Sequence, residues 1–385
     1  MPRPPMILFA PIALLACSND TGAPADNAAF AANESQIAPV DRPPFSVQTV
    51  AEFDEPWAMA FLPDGRLLVT KKAGALKLYS PSSGAVADVA GVPEVVHRGQ
   101  GGFGDIVPGP AFGEDRSVYL SWVEAGNGGS GAVVGLARLV ENDGQARLDG
   151  LQVIWRQQPK VTGSGHFAHR IAFSPDGQYL FISSGERQKF TPAQDMSTNL
   201  GKIIRLRPDG SVPDDNPFAQ KGGVTAQIWS LGHRNILGMA FDADGRLWAH
   251  EMGPRGGDEL NLIEKGENYG YPIVSNGDHY DGRPIPDHDT RPEFQAPKLS
   301  WTPVISPAGA IIYSGDLFPR WKGSMLLGAL SGHALVRVAL NGDNARKADR
   351  WDMNQRIREV EQGPDGALWV LEDGTSARLL KLTPR

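Results

Sequence analysis

Phe61-Leu-Pro-Asp-Gly-Arg-Leu-Leu-Val69 returns along the chain as Phe173-Ser-Pro-Asp-Gly-Gln-Tyr-Leu-Phe-Ile182, as Phe241-Asp-Ala-Asp-Gly-Arg-Leu-Trp248 and as Glu361-Gln-Gly-Pro-Asp-Gly-Ala-Leu-Trp-Val370. Looser copies are Pro110-Ala-Phe-Gly-Glu-Asp-Arg-Ser-Val-Tyr-Leu120 and Tyr313-Ser-Gly-Asp-Leu-Phe-Pro-Arg-Trp-Lys-Gly-Ser-Met-Leu-Leu327. Each reads as a short strand, a turn and a second apolar strand. Asp-Gly suits such turns because Gly tolerates positive φ and Asp bonds its own backbone. Six copies, at roughly 45- to 75-residue intervals, predict an all-β, six-bladed β-propeller whose uneven spacing comes from loop insertions. A β-sandwich with coincidental hairpins is the weaker reading, because six similar hairpins recur.

Outside the repeats the chain shows almost no helical periodicity, and its 31 Pro and 45 Gly punctuate it throughout. Its 385 residues suffice for one large all-β domain, and 41% hydrophobic content supports a sizeable core. The net charge of −7 without a long basic run argues against a nucleic-acid partner. Met-Pro-Arg-Pro-Pro, then the apolar run Met6 to Ala16, reads as a secretory signal too short to span a membrane. Leu14-Leu15-Ala16-Cys17 resembles a bacterial lipobox, so lipid attachment at Cys17 is expected. Cys17 is the chain's single Cys and has no partner for a disulfide. Ser18 follows it in place of the Asp of the default retention signal, which points to outer-membrane anchoring with the body in the periplasm. Residues 18–42 are too poor in large apolar groups to bury themselves and read as a tether. The organisation expected is a signal over 1–17, a tether over 18–42 and the propeller over 43–385.

The chemistry concentrates in Trp229-Ser-Leu-Gly-His-Arg-Asn235, His250-Glu-Met-Gly-Pro-Arg-Gly-Gly-Asp-Glu-Leu-Asn261 and Asn268-Tyr-Gly-Tyr-Pro272. An Arg-Asn pair, a Gly-Pro turn, acids and a Tyr so close together suit an anionic, oxygen-rich ligand held with a hard cation such as calcium. Arg98-Gly-Gln-Gly-Gly-Phe-Gly-Asp105 allows close backbone approach to a flat ligand. Gly163-Ser-Gly-His-Phe-Ala-His-Arg170 places two His before a strand; one could take a proton, and otherwise they form a surface pair. A strand at His166-x-x-His169 would point the two rings to opposite faces. Asn199 to Ser211 reads as a structural strand. Gln355-Arg-Ile-Arg-Glu359 puts Arg356 and Arg358 on one strand face, either as a carboxylate clamp or as an exposed charged edge. The chain has no phosphate loop, no dinucleotide fingerprint and no nucleophile elbow.

On these motifs the chain resembles the soluble PQQ-dependent aldose sugar dehydrogenases, relatives of soluble quinoprotein glucose dehydrogenase, over roughly residues 45–385. The resemblance implies a six-bladed propeller with PQQ across its central entrance, which oxidises aldoses to lactones by hydride transfer to PQQ. It implies that His166 is the general base and that Arg234 lies near the quinone oxygens. Asn235, Gln100 and Tyr280 would contact the cofactor, and Arg356, Ile357 and Arg358 would meet its carboxylates. Gly253 and Pro254 would offer backbone oxygens to a calcium that touches PQQ. Glu259 and Tyr269 resemble a second calcium site. The segment Ala329, Leu330 and Ser331 matches one that contacts PQQ, often through a Lys; here Ser331 stands in that place. A second departure is Gly165, where the glucose dehydrogenase branch has an acid before its catalytic His. The expected partners are an aldose, a periplasmic electron acceptor and the membrane lipid at Cys17, with a monomer as the default. The rival readings are a calcium-dependent propeller lactonase and a non-catalytic carbohydrate-binding lipoprotein.

Overall fold

The computed structural model describes residues 39–40 and 42–385; the signal segment with Cys17 and nearly all of the tether lie outside the described residues. Within them the chain is all-β. Helix is confined to one turn, Phe112–Asp115, and to three-residue 3-10 turns.

Four sheets of four strands cover Ala168–Leu231, Ile236–Trp301, Pro307–Asp352 and Ile357–Pro384. The last takes Phe45–Phe53 from the other end of the chain, antiparallel to Ala377–Pro384. Residues 56–90 and 103–156 form two four-stranded halves of an eight-stranded sheet, joined where Val89 and Ala90 run parallel to Ala146 and Arg147. In each of these six groups one inner strand leads: Pro56–Phe61, Phe103–Pro108, Ala168–Phe173, Ile236–Phe241, Pro307–Ile312 and Ile357–Gln362. Each packs against the next, and the last packs against the first.

The repeated phrase occupies the turns that leave these inner strands. Gly65, Gly177, Gly245 and Gly366 sit there at φ of 84°, 69°, 80° and 78°, a backbone that a Cβ disfavours. The second strands Leu180–Ser184, Leu247–Glu251, Met325–Ala329 and Leu368–Glu372 are buried throughout, whereas the outer strand Ala85–Ala90 is mostly exposed. Burial on both faces explains why these strands read as apolar runs rather than as clean alternation.

All six inner strands point the same way along the ring. Gln100, His166, Arg234 and Ser306, each just before an inner strand, line one cavity. The later halves of the inner strands line another, of about 910 Å3. The two cavities therefore sit at opposite ends of the ring. At the base of the second, Arg170 is paired with Glu359 and, at 3.2 Å, with Asp105. Its guanidinium lies 4.2 Å from the Trp57 ring centre, and Trp57 stacks on His169. Inner-strand glycines make room for this layer: a Cβ on Gly104 would sit 1.9 Å from His169, and one on Gly309 would sit 1.6 Å from Glu359.

Candidate functional site

The cavity at the leading ends of the inner strands holds about 640 Å3 and is lined by Gln100, His166, Arg234, Gly253, Pro254 and Tyr280, among others. A smaller one of about 260 Å3 shares His166, Arg234, Pro254 and Tyr280 and adds Glu186, Phe190 and Tyr271.

His166 is buried at the shared wall. Its backbone N–H donates to Gln100 Oε1 at 2.7 Å, which ties two of the predicted residues together. Its ring Nδ1 meets Glu186 Oε1. The Glu186 carboxylate also accepts the backbone N–H groups of Gln188 (2.9 Å) and Phe190 (2.7 Å). Burial opposes charge on Glu186, but the His166 bond, the Phe190 N–H and the Arg234 charge together hold it below the usual carboxylate range. Burial lowers the His166 imidazole below its ordinary value; Glu186 opposes this, and Arg234 and Arg187 add to it. At neutral pH the pair is therefore a neutral imidazole oriented by a carboxylate. The orienting acid comes from Glu186, not from the residue before the His. A Cβ on Gly165 would lie 2.6 Å from Gln188 Oε1, so the space for a side chain at 165 is already filled. The sequence signal for Glu186 was an acid at the end of a buried strand, with nothing in its spacing to link it to His166.

His166 and His169 do not form a surface pair; both are buried. His169 Nδ1 meets Ser121 Oγ at 2.8 Å, and burial pushes its pKa down to about 3. His166, Ala168 and His169 adopt positive φ, so this segment departs from the regular strand expected from its spacing.

Arg234 and Asn235 are held from behind by Glu251, which accepts both backbone N–H groups and, at 3.0 Å, His233 Nδ1. Arg234 donates Nη1 to Met252 O at 2.8 Å and Nη2 to Tyr280 Oη at 3.1 Å. Its buried Nε, and both amide atoms of buried Asn235, have no hydrogen-bond partner. Buried polar atoms are rarely left so; Arg234 lines the cavity, Asn235 behind it does not, and a guanidinium backed by an open amide fits a planar polyanion rich in carbonyl oxygens, such as PQQ. Tyr280, which closes over Arg234, is otherwise 73% exposed.

Gly253 and Pro254 line the larger cavity. Their turn is fixed by Asp258, which accepts the N–H of Gly253 at 2.8 Å and those of Ile305 and Ser306 at 2.7 Å each. Carbonyl oxygens on a fixed turn fit calcium. Glu259 and Tyr269 do not line that cavity, but both face His288, whose Nδ1 lies 3.9 Å from Glu259 Oε1. Glu259 is buried opposite Glu251, and burial together with that like charge raises its pKa well above the usual range. The Tyr269 hydroxyl donates to Leu262 O, and its carbonyl faces His288 Nε2 at 3.2 Å. Among the described residues no group of three or more His, Cys, Asp or Glu converges as a metal cluster.

Arg356 and Arg358 do share a face, but the carboxylate that both grip is Asp373: Arg356 Nε lies 2.8 Å from Oδ2 and Arg358 Nη2 lies 2.7 Å from Oδ1. Neither they nor buried Ile357, Ala329 and Leu330 are among the residues lining the larger cavity. Ser331 reaches it indirectly, through a 2.8 Å bond to Ser306 Oγ.

Comparison with known proteins identifies the family. A family model described as glucose/sorbosone dehydrogenase matches residues 53–381. The aldose sugar dehydrogenase YliI of Escherichia coli is 40% identical over 343 residues, covering 87% of this chain and 91% of that protein. The apo-form crystal structure of the soluble aldose sugar dehydrogenase of E. coli superposes with a TM-score of 0.83 at 39% identity, covering 89% of this chain and 100% of that one. The PQQ-bound aldose sugar dehydrogenase of Streptomyces coelicolor gives 0.72 at 29% identity, covering 90% and 100%.

Proposed function

The chain belongs to the glucose/sorbosone dehydrogenase family, and from that premise we propose that it oxidises the anomeric carbon of aldoses to lactones, with His166 as general base and calcium beside the cofactor. It is a PQQ-dependent dehydrogenase; PQQ, when bound, accepts the hydride from the sugar's C1. The chain's own part is binding, orientation and proton removal.

The observation that carries the reading is the His166–Glu186 pair beside a cavity that Arg234, with its unpartnered Nε, also lines. With Nδ1 bound to Glu186, Nε2 is the nitrogen left to take the anomeric hydroxyl proton. Arg234 Nε and the Asn235 amide would hold the cofactor with Gln100, and the Arg234 charge would stabilise negative charge as it develops. The Gly253–Pro254 turn would hold calcium. Arg356, Arg358 and Ser331 are proposed as outer contacts, the two arginines shared with Asp373. Six blades are the proposed architecture, supported by the ring of six inner strands. Lipid attachment at Cys17 and a periplasmic location rest on the sequence alone; among the described residues no helix is long and apolar enough to cross a membrane.

The test is reconstitution of the purified protein with PQQ and calcium, followed by dye reduction with a panel of aldoses. Sugar-dependent turnover that is lost with a chelator and in His166→Ala is expected. Failure to bind PQQ would overturn the reading.

A further inference from the structure

Two facing segments carry a backbone that their residues disfavour. His166, Ala168 and His169 have φ of 50°, 56° and 67°; Arg187, Gln188 and Phe190 have 62°, 57° and 62°. Residues with a Cβ stay in this left-handed region only where their surroundings over-determine it.

Arg187 bridges the two segments. Its side chain is fully buried and has no ion-pair partner among the described residues. Every guanidinium nitrogen instead donates to a backbone carbonyl: Nε to Gly165 O at 2.9 Å, Nη2 to Gly163 O at 2.8 Å and Nη1 to Ser130 O at 2.6 Å. Its guanidinium carbon lies 3.6 Å from the Phe167 ring centre, and its backbone N–H donates to His166 O at 3.2 Å. The residues gripped flank His166 on both sides, while the adjacent Glu186 holds the His166 ring. Burying a guanidinium with no carboxylate bonded to it is costly, the nearby Glu186 charge offsetting only part of the burial, so an arrangement that only packed the core would not select it. The rigid fork of Arg187 reaches three divergent carbonyls in a fixed geometry that the compact ammonium of a Lys at the same position would not reproduce.

We propose that Arg187 is the positioning residue of the catalytic base: it locks the Gly163–Phe167 segment so that His166 meets both Glu186 and the sugar, and it supplies a fixed positive charge beside the imidazole. This rests on the dehydrogenase reading above. The charged groups facing His166 are Glu186, which favours its protonation, and Arg234 and Arg187, which disfavour it.

The test uses the holoenzyme, loaded with PQQ and calcium, as Arg187→Lys and Arg187→Gln. Both variants should lose kcat on the order of 10²-fold, the scale expected when a reacting group is misplaced by about an ångström. PQQ affinity, read by absorbance titration, and the sugar KM should hold. The acid limb of the kcat/KM profile should move up in Arg187→Gln, where the charge is gone, and stay in place in Arg187→Lys, where it remains. If Arg187→Gln does not fold, Arg187→Lys still carries the test through its kcat-against-KM split. Wild-type kcat in either variant, or PQQ affinity falling in step with kcat, overturns the proposal. A wild-type protein without turnover on any aldose sinks the dehydrogenase reading itself, a result distinct from unaltered variants of an active enzyme.

Discussion

His166 and Glu186, 20 residues apart in sequence, meet ring nitrogen to carboxylate on the wall shared by the two cavities. The Glu186 carboxylate fixes the tautomer with the proton on Nδ1, leaving Nε2 free as a base. An amide at 186 can donate to Nδ1 and so favours the opposite tautomer. Glu186→Gln should therefore lower kcat by about 10²-fold or more, the usual contribution of a positioned proton acceptor. Steady-state dye reduction checks this, and a variant as fast as the wild type would remove Glu186 from the mechanism.

The direction of the His166 shift fixes the shape of the pH profile. The base works deprotonated, and its pKa lies below the ordinary 6.5, so the acid limb of kcat/KM should fall below pH 6.5. The same sign applies to stability. A depressed folded pKa contributes stability above the ordinary value, and that stability is lost as pH falls through the folded value. Because Glu186 pulls the pKa upward, Glu186→Gln should move the limb lower still. An acid limb above pH 6.5 in the wild type would contradict the burial argument.

Asn235 is buried with both amide atoms unpartnered. If a cofactor satisfies them, Asn235→Ala should weaken PQQ binding by about tenfold, the value of roughly one hydrogen bond made in a dry site. The cofactor-free protein loses no bond and should melt at an unchanged or slightly higher temperature. PQQ titration and thermal melting of the same preparation separate the two effects.

Gly309 offers a purely steric test. Its Cβ would collide with Glu359, which is paired with Arg170 in the axial layer. Gly309→Ala should cost at least ~1–3 kcal/mol, as overpacking does, and more if the buried ion pair parts. Gly113, in the single helical turn with nothing within 4 Å of its Cβ, is the control, and Gly113→Ala should be neutral or mildly stabilising. Equal melting temperatures for the two variants would show that the axial layer yields.

Some of this was written in the sequence and some was not. The Asp-Gly phrases were legible because a tight turn is a local event, set by a few residues and a glycine at positive φ; they fall on the turns that leave the inner strands. Gln100, His166 and Arg234 were legible only together, through the family resemblance their motifs carry in order along the chain, and folding brings them to one cavity because each precedes an inner strand pointing the same way. The partners of these residues were not legible. Glu186 on His166, Asp373 on Arg356 and Arg358, and Glu251 behind Arg234 are ordinary acids at strand ends. Only the packing of one sheet against the next decides which cation or imidazole each meets. Turn chemistry depends on neighbours in the chain, whereas charge pairing depends on neighbours in space, and burial in a low-dielectric interior gives that pairing its energetic weight.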